Sequence, residues 1–261
     1  MKTILILVGT VVFLGAAFFS FNHYLYQQKQ AITKSTMATT TLPTITPIEH
    51  ATMVLDWGGT IFYTDPVGGI EAFSGQRTAS IVLVTDIHGD HFSTSTLEAV
   101  VSTETTLIVP QAVKDLLPEP LQSRALVLAN GQTMSEMDLT ITAVPMYNLP
   151  ETEDSRHVRG RGNGYVIEKG DSRVYIAGDT AGIPEMRALT DIDIAFVPMN
   201  LPYTMGVEEA VDAVLAFKPK AVSPYHYRGQ DGLSDVARFK ELVNSGNPSI
   251  EVLLLNWYPE Q

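Results

Sequence analysis

The chain contains no cysteine. Disulfides, thiolate metal sites and a lipid-modified N-terminal cysteine are therefore excluded. Any bound metal must be held by histidine, aspartate, glutamate, asparagine or backbone oxygen. Positive charge is also scarce, with 17 Lys and Arg against 29 Asp and Glu, a net charge of −12 over 261 residues. Contact with a phosphate backbone needs a basic surface, so nucleic acid is excluded as a standing partner. A small anionic substrate held at a local metal centre is not. Charged residues make up 18% and hydrophobic ones 45%, a globular balance and not a disordered one. No internal repeat is visible.

Long apolar runs are confined to one place. Lys2 is followed by "ILILVGTVVFLGAAFFSF", residues 4–21, which is uncharged. Its length falls between a signal-peptide core and a membrane span. Residues 1–30 are accordingly read as an N-terminal membrane anchor or signal segment, and bulky residues behind a conceivable cut after Ala17 favour retention. Residues 31–47 hold "STMATTTLPTITP", Thr-rich with two prolines, which is linker composition. Both readings of the first segment imply a membrane-anchored or secreted protein, with the remaining domain, residues 48–261, on the extracytoplasmic side.

That domain alternates short β-type runs with helical segments. "ATMVLDW", "TIFYTD", "SIVLVTD", "TLIVP", "ALVLA" and "LTITAVPM" are apolar, often β-branched, and bounded by Gly, Pro or Asp. "STSTLEAVVS" offers Ser93 or Ser95 as a helix N-cap. "GYVIEKG" and "SRVYIAGD" read as a hairpin turning at Gly170-Asp171, followed by alternating helices and strands to "SIEVLLLNW". Meandering strands followed by β/α alternation predict an α/β domain of two mixed sheets with helices outside.

Polar residues collect where these strands end. "SIVLV" runs into Asp86, His88, Asp90 and His91, so two of the six histidines and two acids lie within six consecutive positions. "RVYIA" ends at Asp179, "AVSPYH" at His226, and "LTITAVPM" near Asn148, with His157 further along the loop. Ligand sites of layered α/β domains gather where strand ends release loops. Imidazole nitrogen and carboxylate oxygen are both zinc donors, and two metals about 3.5–4 Å apart form a familiar hydrolytic pair. The donor set Asp86, His88, Asp90, His91, Asp179 and His226, with His157 or Asn148, is large enough for two.

"TDIHGDHF" resembles the His-x-His-x-Asp-His motif of the metallo-β-lactamase superfamily, with Asp86 in the first His position. "IEHATMVLDWGGTIFYTDP", "RGNGYVIEKGDSRVYIAGDTAGIPEM" and "KAVSPYHY" are similar to segments of its ascorbate-6-phosphate lactonase-like branch. The resemblance runs from about Glu49 to the C-terminus. It implies a four-layer αββα sandwich and a hydrolase that uses metal-activated water on a small-molecule substrate. It also implies Zn²⁺ as cofactor, two per chain, with Mn²⁺ an alternative favoured by the extra oxygen ligand. By position, Asp86 and His88 would bind the first metal, Asp90, His91 and His226 the second, and Asp179 would bridge them.

Asn148 stands where the family has another ligand, and His157 is the nearest residue to fill the gap. Asp90 could also act on the water proton. Asn148, Arg159 and Arg161 are read as substrate-binding, since with Arg156 these arginines form the one positive cluster, suited to an anionic substrate. Asp65 could orient a metal ligand, and His50 could approach the site from outside it. The expected bond is an ester, lactone or phosphodiester. The competing expectations are a membrane-tethered phosphodiesterase on lipids or nucleotides, and a metal-binding scaffold weakened by Asp86 and Asn148.

Overall fold

A computed structural model of the chain describes residues 42–259. The anchor or signal reading of residues 1–30 lies outside them. The expectation of a membrane-anchored or secreted location is corrected by the absence, among the described residues, of any helix long and apolar enough to cross a membrane.

Fifteen strands run β1 (Thr44–Glu49), β2 (Thr52–Trp57), β3 (Thr60–Thr64), β4 (Ile81–Leu83), β5 (Thr106–Val109), β6 (Leu126–Val127), β7 (Thr133–Glu136), β8 (Leu139–Met146), β9 (Gly162–Lys169), β10 (Ser172–Ile176), β11 (Ile194–Pro198), β12 (Ala221–Tyr225), β13 (Arg228–Gly229), β14 (Gly232–Leu233) and β15 (Glu251–Val252). The helices are α1 (Thr94–Val100), α2 (Gln111–Lys114), α3 (Glu119–Gln122), α4 (Pro184–Arg187), α5 (Val207–Phe217) and α6 (Val236–Gly246). One six-stranded sheet has the order β1-β2-β3-β4-β5-β6 and one seven-stranded sheet the order β15-β12-β11-β10-β9-β8-β7. Both are mixed: β1–β3 and β7–β10 pair antiparallel, whereas β3–β6 and β10–β12–β15 pair parallel.

Side-chain alternation explains why two sheets stack. Met53, Leu55, Trp57, Phe62, Ile81 and Leu83 point inward and join Ile141, Tyr165, Ile167 and Tyr175 of the second sheet in one core. Val54, Ile61, Tyr63, Val82 and Val84 point the other way and pack with Leu97 and Val100 of α1, as the period of two requires. The parallel strands β11 and β12 are buried along their whole length, and α5 and α6 add Ala210, Val214, Phe239 and Val243 to the larger core. Helices therefore cover both outer faces, which is the expected four-layer α/β sandwich of the metallo-β-lactamase fold.

Two local readings meet the structure directly. β9 and β10 form the hairpin, with Lys169 opposite Ser172. Ser93 caps α1, its hydroxyl accepting from the Thr96 amide. The linker boundary differs: β1 takes in residues 44–47 of the stretch read as linker. Pro47 is tolerated because β1 is the sheet edge.

Candidate metal centre

The ends of strands from both sheets deliver polar side chains to one place. Asp65 follows β3, Asp86 to His91 follow β4, Asn148 and His157 lie between β8 and β9, Asp179 follows β10, Asn200 follows β11 and His226 follows β12. His50 sits in the turn from β1 to β2. Asp65, His226 and His50 hold left-handed backbone, with φ of 46°, 46° and 52°. Such conformations are uncommon outside glycine and concentrate where side chains must be re-aimed. Beneath the β4 loop the sheets come close, and the Asn163 amide donates to the Thr85 carbonyl at 2.9 Å. A Cβ on Gly162 would meet that carbonyl at 2.7 Å, so only glycine lets β9 pass there.

Asp86, His88 and His157 form one group, and His91, Asp179 and His226 a second; each offers donor atoms within 4.8 Å of one another. His88 Nδ1 is 2.7 Å from Asp86 Oδ2, and His157 Nε2 is 3.7 Å from the same oxygen. In the second group His91 Nε2 lies 3.2 Å from His226 Nε2. Asp90 Oδ2 is 3.2 Å from His226 Nε2. Asp179 stands between the groups: its Oδ2 is 3.3 Å from both His91 Nε2 and His157 Nε2, and its Oδ1 is 3.6 Å from His226 Nε2.

Outer partners aim these donors. Asp65 is fully buried and receives the Thr85 amide and hydroxyl, each at 2.6 Å, while facing His91 Nδ1 at 2.8 Å. That leaves His91 Nε2 directed at the centre, the carboxylate–histidine arrangement typical of metal sites. Asn148 does the same for His157: its Oδ1 accepts from the His157 amide at 2.8 Å and faces Nδ1 at 3.2 Å. Asn200 Nδ2 lies 3.3 Å from His226 Nδ1.

The carboxylates and imidazoles of the centre hold one another charged. Burial alone would lower the pKa of His91, yet Asp179 and Asp65 hold it well above the usual imidazole value. Burial would raise Asp179, but His226 and His91 pull it well below the usual carboxylate range. Asp90 is pulled down as well, against its burial, by His226 and His91. Nε2 of His157 and Oδ1 of Asp179 are nevertheless buried without a hydrogen-bond partner. Orphaned buried polar atoms cost about 1–3 kcal/mol each, and a cation among nitrogen and oxygen donors would satisfy both. The donor set therefore fits a divalent metal of the kind imidazole and carboxylate hold.

The residues expected to bind substrate all make contacts within the protein. Arg159 pairs with Glu151 at 3.2 Å and Glu185 at 2.8 Å and covers the Tyr147 ring. Arg161 grips both oxygens of Asp86 with one edge of its guanidinium, Nε to Oδ1 at 3.1 Å and a terminal nitrogen to Oδ2 at 3.0 Å. Asn148 spends its remaining amide hydrogens on the Tyr203 carbonyl at 2.8 Å. Arg161 and Asn148 are held by a buried carboxylate and a backbone carbonyl, whereas Arg159, 46% exposed, is held by two partly exposed glutamates. A cavity of about 300 Å³ opens over the centre instead, lined by His50, His88, Asp90, Asp179, Arg156, Tyr203 and Arg228, among others. Arg156 sits over the Tyr203 ring at 4.7 Å. Asn200, Tyr203 and Arg228 were not read from sequence, although Asn200 ends "AFVPMN" just as Asp179 ends its own strand.

Known proteins share this fold. Residues 44–226 match the family model described as the Beta-lactamase superfamily domain. A UPF0173 metal-dependent hydrolase of Thermococcus onnurineus is 30% identical over 69% of this chain and 80% of its own length. A crystal structure from Parabacteroides distasonis, described as a metal-dependent hydrolase by provisional assignment, is 36% identical, with a TM-score of 0.73 over 83% of this chain and 94% of that one. The metallo-β-lactamase fold protein YhfI of Bacillus subtilis shares the fold, with a TM-score of 0.63 at 13% identity over 82% of this chain and 97% of its own. The ascorbate-6-phosphate lactonase-like branch is not borne out by these matches. With that centre, that fold and these relatives, the chain belongs to the metallo-β-lactamase superfamily, among its UPF0173 metal-dependent hydrolases.

Proposed function

We propose that the chain hydrolyses an ester-, lactone- or phosphodiester-type bond of a small substrate at a dinuclear metal centre. In this reading Asp86, His88 and His157 hold the first cation, Asp90, His91 and His226 the second, and Asp179 both. The observation that carries it is two buried atoms that make no hydrogen bond, His157 Nε2 and Asp179 Oδ1, facing donors of the same centre at 3.3 and 3.6 Å. His157 thus takes the place that Asn148 leaves, and Asn148 positions it.

A bound pair of divalent cations supplies Lewis acidity, which makes water acidic near neutral pH and offsets charge on the substrate oxygen. The protein does the rest. Asp90 reaches the cavity with 40% of its side chain exposed and, held ionised, accepts or orients the water proton. Asp65, which is buried, and Asn148 keep imidazole nitrogens pointed inward. Arg156 and Arg228 on the cavity wall favour a substrate bearing negative charge, although Arg228 also pairs with Glu49 at 3.3 Å.

The test is to reload the full chain with Zn²⁺ or Mn²⁺ and screen esters, lactones and phosphodiesters, with Asp179→Ala alongside. Hydrolysis by the wild type that Asp179→Ala abolishes is the expected result. Turnover unchanged by that substitution would overturn the reading.

A further inference from the structure

The Asp86–Arg161 pair is the feature of this centre that its function does not require. A bare carboxylate at position 86 would already supply a metal donor. Instead Asp86 is wholly buried and clasped at both oxygens by a guanidinium whose side chain is only 18% exposed. Arg161 comes 75 residues later in the chain. Among the described residues Asp86 is the one carboxylate that Arg161 pairs with, whereas Arg159 and Arg228 answer to glutamates away from the centre. The oxygen that Arg161 grips at 3.0 Å, Oδ2, is also the one that faces His88 and His157.

Charge explains the arrangement. Asp86, Asp90 and Asp179 bring three negative charges to the centre, and Arg161 removes one, leaving two. Two is also what Asp90 and Asp179 alone would bring if a neutral imidazole stood at position 86. Bidentate arginine is suited to this role because its planar fork matches the carboxylate and its charge does not titrate. Resting on the metal-centre reading above, we propose that Asp86 and Arg161 act as one neutral unit in place of an imidazole, with Arg161 as the positioning residue that weakens the first position's grip on its cation.

Metal retention tests this without reference to turnover. The full chain is loaded with Zn²⁺ or Mn²⁺, metals per chain are counted by elemental mass spectrometry, and retention is measured by chelator competition. Arg161→Met frees both oxygens of Asp86 and is expected to tighten the first-position ion about tenfold or more, the scale on which outer partners tune metal sites. Arg161→Lys keeps the charge but loses the two-pronged grip, and should fall between wild type and Arg161→Met. Asp86→His strands the guanidinium beside a cation and is expected to reduce two metals per chain to one. The double variant Asp86→His/Arg161→Met should hold two again.

A merely structural arginine predicts the opposite sign, because its loss would loosen the site. Removing one partner of a buried pair can unfold a chain. The comparison of Asp86→His with the double variant, neither of which leaves a carboxylate stranded, therefore decides independently. Weaker or unchanged retention in Arg161→Met, or two metals held by Asp86→His alone, would overturn the proposal. A wild-type chain that binds no metal after reloading would overturn the metal-centre reading beneath it.

Discussion

Replacing Asp65 by asparagine probes the centre through a residue that touches no substrate. Asp65 is fully buried and accepts from the Thr85 amide and hydroxyl at 2.6 Å each while facing His91 Nδ1 at 2.8 Å. Asparagine keeps the shape but has one acceptor oxygen. If that oxygen stays on the Thr85 amide, the new NH₂ faces His91 Nδ1. His91 must then accept at Nδ1 and carry its proton on Nε2, the atom 3.2 Å from His226 Nε2 and 3.3 Å from Asp179 Oδ2. A protonated Nε2 cannot donate a lone pair to a metal, so affinity should fall about 10–100-fold, as for other outer-partner losses.

Asp65→Ala goes further and strands the donors themselves. The Thr85 hydroxyl can turn to His91 Nδ1 at 3.0 Å, but the Thr85 amide keeps no acceptor. One or two orphaned groups at about 1–3 kcal/mol each put the stability loss at roughly 1–6 kcal/mol. Chelator competition reads the first effect and denaturant unfolding of the metal-free chain the second. Asp65→Asn retaining metal within about threefold of wild type would refute the tautomer argument, because an outer partner that matters costs more.

Four further outcomes follow from the geometry and the electrostatics. His157→Ala should lower the metal count by one per chain, and Asn148→Ala should weaken the same position without emptying it, both read by elemental mass spectrometry. Gly162→Ala places a Cβ 2.7 Å from the Thr85 carbonyl and 2.9 Å from Met146 Sδ. It should cost about 1–3 kcal/mol by overpacking, which denaturant unfolding will detect. The metal-free chain should lose stability as pH rises. His91 is held above its unfolded pKa, so its contribution is full below about pH 6.5 and is lost on passing the folded value. A stability profile that stays flat as pH rises above about 6.5 would count against the carboxylate contacts of His91.

By itself the sequence determined what is local. Four donor side chains follow one apolar run in "TDIHGDHF", and a strand followed by a short loop has few ways to present them except at the sheet edge. The hairpin at Gly170-Asp171 and the cap at Ser93 are likewise decided within a few residues, by a glycine with φ of 58° and a hydroxyl beside a free amide. Strand-end position also flagged Asp179 and His226. The tertiary structure decided which long-separated groups meet. Arg161 looked like part of a basic patch for substrate, but Asp86 claims it across 75 residues. Asn148 looked like a failed ligand or a substrate contact, but it aims His157.

Asp65 and Asn200 gained their partners in the same way, across 26 residues each. Such pairings depend on the register in which two sheets stack and on close passages such as Gly162 beneath Thr85. Periodicity in sequence says which face a residue takes, whereas the identity of the group opposite is set only when the sheets pack.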